Sequence, residues 1–264
     1  MTKSQPEGNR DLRETIRLAN ITFWQCRYTC ASPGEVDLPS LALYMHMIRM
    51  ADGVEILFGA KAYSPMIPLL RSMLESLMAL EYIHQVDYEK RSLAWLCACI
   101  HQEIEFNETI DPSTERGKKF QEEATKRQRF WSDSYLKPES TTAEVKCLKK
   151  KLNAELFRDT EREYQTRKGK NDWAPKWYQL FGGPRNLFEM AGRTEWLAFF
   201  KIFYQPWSAA VHGTDAASLV LQLSDGSAEF KDLRDENGLQ FGADGANFLL
   251  ETASLLMARK FAAK

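Results

Sequence analysis

Apolar residues recur three and four positions apart along most of the chain, which is the spacing of one face of an α-helix. In residues 9–30 this stripe contains Leu12, Ile16, Ala19 and Phe23. The same spacing predicts further helices at residues 40–58, 88–110, 194–212 and 244–261, and one that begins after Ser64. No segment alternates apolar and polar residues for long enough to build a sheet. The pattern therefore predicts an all-α fold, a multi-helix bundle.

Two of these helices have recognisable starts. Ser40 is predicted to cap the second helix with its hydroxyl, and Ser64 followed by Pro65 marks the start of the third. Between Ala62 and Leu80 the third helix is apolar on nearly every side. Such a helix is buried in the core, so we expect it to lie at the centre of the bundle.

A strongly charged segment interrupts this apolar pattern. Residues 113–170 carry 16 Lys and Arg against 10 Asp and Glu, although the whole chain has a net charge of −1. We interpret the chain as one helical domain, 1–264, with a charged helical hairpin inserted at 113–170. The insertion is either an anion-binding surface or a solvated pair of helices. On the first interpretation the ligand-binding residues are Lys149, Lys150 and Lys151 of the insertion and Trp177, which lies beside it in the sequence and could stack on bases.

Composition places the chain in the cytoplasm. At 264 residues and 44% hydrophobic content it can bury a substantial core. The five cysteines are odd in number and include no C-x-x-C pair, which argues against a secreted disulfide framework. The first residues resemble no signal peptide, and no apolar run approaches the roughly 18 residues of a membrane span. We therefore predict reduced thiols and no membrane contact.

One charged pair lies on the otherwise apolar third helix. Arg71 and Glu75 are four residues apart and so share a helix face. A charge pair in such a setting is costly to bury unless its members are paired with each other or with a third polar group. The pair is either an internal ion pair that fixes helix register, or an arginine held by its glutamate so that its other donors bind an anion.

A second polar stripe lies on the helix predicted at 194–212. Tyr204, Ser208 and His212 follow one another at intervals of four residues, and Pro206 is expected to kink the helix between them. His212 falls in the last turn, where the helix dipole favours an imidazolium. The stripe either provides a hydroxyl and a base for catalysis or contains a buried histidine bound by Ser208 or Glu75.

These two motifs, R-x-x-x-E and Y-x-x-x-S-x-x-x-H-G, resemble an uncharacterised bacterial helical family of unknown function, whose members resemble components of defence and abortive-infection loci. The similarity covers residues 42–223 apart from much of the charged segment. The resemblance implies a shared all-α core and a shared polar centre, with no established activity. The family's marked positions fall on Arg71, Glu75, Tyr204, Ser208, His212 and Gly213.

A looser similarity is to the HEPN nucleases, helical bundles that often act as RNases. Their hallmark is an arginine and a histidine four to six residues apart on one helix, and this chain lacks it. An arginine and a histidine would have to cooperate between helices here, with His212 as general acid or base and Arg71 stabilising the phosphorane charge.

The leading prediction is thus a defence- or toxin-type protein that binds or acts on RNA or nucleotide phosphate. Its predicted catalytic residues are His212, Arg71, Glu75, Ser208 and Tyr204. The alternative is a non-catalytic interaction module in which these residues form a structural network and the charged segment contacts a protein partner from the same locus. A homodimer is a further expectation, since helices such as residues 41–48 carry more apolar surface than one bundle buries. No cofactor or metal is predicted, because the E-x-x-H motif of Glu81 and His84 has no second copy.

Overall fold

The computed structural model describes residues 10–29, 34–126, 141–169, 174–212, 220–222, 226–230 and 236–262. Within these ranges the chain is almost entirely helical, so the predicted all-α class is confirmed. The helices are α1 (Arg10–Thr29), α2 (Leu38–Gly59), α3 (Met66–Gln85), α4 (Tyr88–Ile110), α5 (Glu115–Lys126), α6 (Thr142–Leu152), α7 (Arg158–Lys168), α8 (Leu187–Arg193), α9 (Leu197–Phe199), α10 (Gln205–Val211) and α11 (Leu239–Ala262). The short strands β1 (Val220–Gln222) and β2 (Ala228–Phe230) pair in antiparallel fashion.

The chain divides into two compact units. Unit 1 comprises residues 1–88 and 185–264, and unit 2 comprises residues 89–184. Unit 2 contains the charged segment and extends beyond it at both ends, so the proposed boundaries of an insertion at 113–170 stay a prediction. No helix in the described ranges is both long enough and apolar enough to cross a membrane.

Helix α3 lies at the centre of unit 1, as its apolar surface predicts. It packs against α2, α10 and α11, while α1 packs against α2 and α11. Met73, Leu74 and Leu77 are almost completely buried. Burial of these side chains from several directions fixes the position of α3, and with it the positions of Arg71 and Glu75.

The predicted cap of α2 is wrong. The helix begins at Leu38, preceded by Asp37, and Ser40 lies inside its first turn. Pro39 explains the early start, because proline is well suited to the first helical turn. The Ser40 hydroxyl instead lies 2.8 Å from Nε2 of His84 on α3, and so links the two helices.

The helix predicted at 194–212 is irregular in its middle. Between α9 and α10 the segment Phe200–Tyr204 is a π-helix, and Pro206 lies in the first turn of α10. Proline has no backbone N–H and cannot donate to the residue four positions earlier, so the preceding turn widens. This wide turn ends at Tyr204 and sets where its side chain leaves the helix.

Unit 2 is built from α4 to α7 and a 3₁₀ segment at Trp177–Gly182. The second half of the predicted charged hairpin contains two helices, α6 and α7. An extended residue, Ala154, and a 3₁₀ turn at Glu155–Phe157 separate them. The side chain of Phe157 is completely buried, so the break places an apolar anchor in an otherwise charged segment.

The turn between α4 and α5 is held by a buried carboxylate. Asp111 accepts hydrogen bonds from the Ser113 hydroxyl at 2.7 Å and the Ser113 backbone N–H at 2.9 Å. It also accepts from Thr141 at 3.1 Å and Thr142 at 3.3 Å. These donors, the Ser113 hydroxyl foremost, hold the pKa of Asp111 below its ordinary value.

This lowered pKa predicts a loss of stability in acid. A carboxylate whose pKa is depressed in the folded state stabilises the protein above its unfolded pKa, about 3.9, and the contribution disappears as pH falls through the folded value. Asp111→Asn should therefore flatten the decline of the unfolding free energy below about pH 4. Urea unfolding at several pH values measures this. An acid decline identical in the variant and the wild type would contradict it.

Candidate active or ligand-binding site

The structure brings together three of the five residues predicted to form a polar centre. Arg71 Nη2 donates to the Tyr204 hydroxyl at 2.9 Å, and that hydroxyl donates to Glu75 Oε1 at 2.8 Å. Arg71 Nη2 also lies 3.1 Å from Glu75 Oε1. The three side chains thus form a closed ring of contacts, which we call the arginine centre. It joins α3 to the π-helical segment.

The arginine centre is partly open to solvent. The Tyr204 residue is 7% exposed, whereas the side chains of Arg71 and Glu75 are 19% and 36% exposed. Burial raises the pKa of Tyr204 to about 12; the hydrogen bond from Arg71 opposes this rise, and the bond to Glu75 adds to it. Tyr204 therefore keeps its proton at neutral pH and donates it to Glu75.

Arg71 is held in a defined orientation with part of its donor set unused. Its Cζ lies 4.9 Å from the centroid of the Tyr204 ring, a cation–π distance. Burial lowers the pKa of Arg71, but the bonds to Tyr204 and Glu75 outweigh burial and raise it. Its Nε is buried and has no hydrogen-bond partner among the described residues. Such a guanidinium can lock two helices together, and it can also donate to an anion.

Ser208 and His212 are not part of this ring. Ser208 is partly exposed on α10, and His212 is exposed in the turn that ends α10. The backbone N–H of His212 donates to the Ser208 carbonyl at 3.1 Å, but within the described ranges neither side chain has a hydrogen bond or ion pair. The interpretation of His212 as a buried histidine bound by Ser208 or Glu75 is therefore wrong. Gly213 lies outside the described residues.

The predicted ligand-binding residues of the charged segment, and Trp177 beside it, lie in unit 2. Lys149 Nζ lies 2.8 Å from Glu108 Oε1, so its charge already has a partner. Lys150 is exposed and Lys151 is partly exposed. The Trp177 ring packs edge-to-face against Tyr178 with centroids 5.6 Å apart. Their role in binding a ligand stays a prediction.

Glu81 and His84, which form the E-x-x-H motif, contact different residues. Glu81 Oε2 accepts a hydrogen bond from the Trp196 indole at 2.7 Å, while Nε2 of His84 lies beside Ser40. Burial raises the pKa of Glu81, against the effect of the Trp196 hydrogen bond. Both side chains are therefore engaged in holding the helices of unit 1 together.

Sequence reasoning missed a second cluster, which lies in unit 2. His101 Nε2 lies 2.7 Å from Glu161 Oε2, and the Cys97 thiol donates to the same oxygen at 3.5 Å. Burial, followed by the charge of Glu161, raises the pKa of Cys97. Burial also opposes ionisation of Glu161, but its hydrogen bonds, that with His101 first, lower its pKa overall. The one sequence signal was the spacing of Cys97 and His101, which places both on one face of α4.

Unit 1 also contains an apolar cavity of about 210 Å³, which we call the aromatic groove. Its walls come from α3, from the segment around α9 and α10, and from α11. The principal lining residues are Leu74, Phe199, Phe203, Trp207, Phe241 and Phe248. Phe241 and Phe248 are 46% and 43% exposed, so the groove presents aromatic surface to solvent.

Removing the Tyr204 hydroxyl tests how tightly the arginine centre joins its helices. Tyr204→Phe should lower the free energy of unfolding by about 1.5 kcal/mol, because two hydrogen bonds to charged groups are lost while the direct contact between Arg71 and Glu75 remains. Urea unfolding measures this. Tyr28→Phe is the matched control, since Tyr28 is 75% exposed and should tolerate the change. Equal stability of the two variants would show that the Tyr204 hydroxyl contributes nothing.

Comparison with known proteins gives one match. A sequence model of the family of unknown function DUF5677 matches residues 37–228, which is more than half of the chain. This range includes all five residues of the two predicted motifs and agrees with the extent of similarity inferred from them. No curated protein and no solved structure matches the chain.

Proposed function

The chain belongs to the DUF5677 family of unknown function, and we propose that it is a defence- or toxin-type protein that binds the phosphates of RNA or a nucleotide through Arg71. One observation carries the proposal. Arg71 is charged, is oriented by Glu75 and Tyr204, and its side chain is 19% exposed. Arginine held in this way suits phosphate, because its planar fork can donate two parallel hydrogen bonds.

His212 is proposed to contact a neighbouring phosphate. It follows Tyr204 by eight residues, so the two positions are about 12 Å apart along the helix axis. That is more than one phosphate group spans, which favours a ligand with at least two phosphates. An exposed histidine at the end of a helix can transfer a proton to or from such a ligand. If the protein cleaves RNA, His212 is the proposed acid or base, and Ser208 one turn earlier lies on the same stripe.

The proposal places the protein in the cytoplasm, where nucleotides and RNA are available. Free thiols support this placement, because disulfides are rare in that compartment. None of the cysteines among the described residues forms a disulfide: Cys26, Cys97, Cys99 and Cys147.

A second function is favoured by the aromatic groove. A groove walled by exposed aromatic rings suits the apolar face of a helix from a protein partner encoded in the same locus or from a second copy of this chain. In that case the arginine centre is a structural network and has no ligand. Phe241→Glu would place a charge on the groove wall and should abolish self-association measured by light scattering, while Ile202→Glu, at an exposed position outside the lining, should not.

Binding of labelled single-stranded RNA and of a nucleoside triphosphate, followed by fluorescence anisotropy, tests the leading proposal. Arg71→Gln should weaken binding about tenfold, as expected for one lost charge-assisted contact. It should also reduce, by about one, the slope of the logarithm of the binding constant against the logarithm of the salt concentration. Arg193→Gln is the matched control, because Arg193 is an exposed arginine of the same unit. His212→Ala should lower any RNA cleavage more than it lowers binding.

Three results would overturn this proposal. They are binding of neither probe by the wild type, a loss of affinity in Arg193→Gln equal to that in Arg71→Gln, and normal binding by a folded Arg71→Gln variant. Unfolding of Arg71→Gln would be recognised by circular dichroism. In that event Glu75→Gln, which keeps the guanidinium and a hydrogen-bond acceptor, replaces it and should alter affinity without unfolding the protein.

A further inference from the structure

Three side chains of different chemical type converge in unit 2. Cys97 and His101 lie one turn apart on α4, and Glu161 approaches them from α7. Their ligand atoms, Sγ, Nε2 and a carboxylate oxygen, all lie within 4.8 Å of one another. We call these residues the C-H-E cluster. Thiolate, imidazole and carboxylate are the three side-chain ligands that bind zinc in proteins.

We propose that the C-H-E cluster is a zinc-binding site with three protein ligands. Deprotonated Cys97 and Glu161 supply two negative charges, which match one divalent cation, and neutral His101 supplies a nitrogen. Three protein ligands leave the fourth tetrahedral position for water, as in open zinc sites.

The geometry needs little adjustment to accept the ion. Tetrahedral zinc with ordinary bond lengths separates a sulfur from an oxygen ligand by about 3.6 Å and a nitrogen from an oxygen by about 3.4 Å. The Cys97 Sγ to Glu161 Oε2 distance is 3.5 Å, and the His101 Nε2 to Glu161 Oε2 distance is 2.7 Å. Of these two distances only the second must open, by a small rotation of the carboxylate, and the third pair of ligand atoms already lies within 4.8 Å.

Neighbouring groups already orient two of the ligands. Gln165 Nε2 donates to Glu161 Oε1 at 2.7 Å, which leaves Oε2 directed at the cluster. The His101 ring stacks on Tyr164 with centroids 4.0 Å apart and an angle of 4° between the planes. Outer contacts of this kind fix the orientation of metal ligands and raise affinity.

The proton balance of binding is simple. In the structure the Cys97 S–H donates to Glu161 and must be lost for sulfur to bind the ion, so one proton passes to solvent. The 2.7 Å contact of His101 Nε2 with the Glu161 carboxylate requires a hydrogen on Nε2, and in the neutral imidazole this hydrogen moves to Nδ1 when Nε2 binds the ion. The ion would enter past His101 and Glu161, whose side chains are 13% and 20% exposed, because Cys97 is fully buried.

Cobalt substitution tests the site directly on the full chain. The metal-stripped protein should bind one Co²⁺, with the visible bands of a tetrahedral ion and a thiolate-to-cobalt charge-transfer band, and Zn²⁺ should displace it. Cys97→Ser should lose the charge-transfer band, and Cys147→Ser, at an exposed cysteine outside the cluster, should keep it. Glu161→Gln keeps the size of the side chain and should weaken Zn²⁺ binding at least tenfold.

Absence of the charge-transfer band from the wild type would reduce the C-H-E cluster to a set of hydrogen bonds and overturn the proposal. The same conclusion follows if the band survives Cys97→Ser or disappears in Cys147→Ser. If Cys97→Ser does not fold, Glu161→Gln and His101→Asn decide the matter through Zn²⁺ affinity measured by competition with a chromophoric chelator. Unchanged affinity in both variants would exclude the site.

Discussion

Gly117→Ala is expected to destabilise unit 2 by about 3 kcal/mol. A Cβ added at Gly117 would lie 1.8 Å from the Asp111 carbonyl oxygen and 2.5 Å from its carbonyl carbon. Both atoms belong to the backbone and cannot rotate away. The Gly117 N–H donates to the Thr114 hydroxyl at 2.9 Å, and that hydroxyl donates to the Asp111 carbonyl at 2.9 Å, so α5 cannot move outwards without breaking this link. The glycine is therefore required by the close approach of α5 to the end of α4.

Unfolding in urea, followed by circular dichroism, measures the effect of this substitution. Gly192→Ala provides the control, because Gly192 lies within α8 and a Cβ there would have no neighbour within 4 Å. Alanine is the better helix former, so the control should be unchanged or more stable by up to about 1 kcal/mol. Comparable stability of the two variants would show that the turn at Asp111 adjusts at little cost.

The helices that the sequence predicts best are those whose apolar stripe is continuous and whose ends carry strong breakers. Helix α4 begins and ends where the pattern places it, since Asp111 and Pro112 end the spacing. The π-helical turn before α10 and the break after α6 could not be predicted in the same way. The π-helical turn positions Tyr204 and the break buries Phe157, so both arise from tertiary packing. The spacing of apolar residues is nearly the same before and after each irregularity, and it therefore does not reveal them.

The arginine centre was predictable in part, because its members are polar residues on helices that are otherwise apolar. Burying Arg71 without partners is costly, so the sequence itself predicts that polar groups such as Glu75 and Tyr204 lie near it. The C-H-E cluster gave no comparable signal. His101 and Glu161 are 60 residues apart, and Glu161 lies among many charged residues of a segment whose helices are mostly exposed. Only the packing of α7 on α4 distinguishes it from its neighbours.

Trp196→Ala is expected to cost about 4 kcal/mol of unfolding free energy, in the range usual for loss of a buried tryptophan. The Trp196 residue is 8% exposed, and its ring contacts those of Phe199 and Phe248 at centroid distances of 5.0 and 6.0 Å. Its indole N–H is also the donor to Glu81. Trp24→Ala is the control; Trp24 is 48% exposed, and its loss should cost about 1 kcal/mol or less. Similar losses in the two variants would contradict the inference that Trp196 is an anchor of unit 1.

Trp196→Phe separates the hydrogen bond from the packing, and its effect should depend on pH. Burial already raises the pKa of Glu81, and loss of the indole donor should raise it further. A carboxylate whose pKa is raised by folding binds more protons in the folded state, so stability falls as pH rises from the unfolded value, about 4.3, through the folded one. The loss of unfolding free energy in the variant should therefore be smallest near pH 4. At neutral pH the loss should be larger by about 1 kcal/mol, a figure reduced to allow for the partial exposure of Glu81. A Glu81→Gln background should remove this pH dependence, and a difference that is constant with pH would show that the indole hydrogen bond does not stabilise the carboxylate.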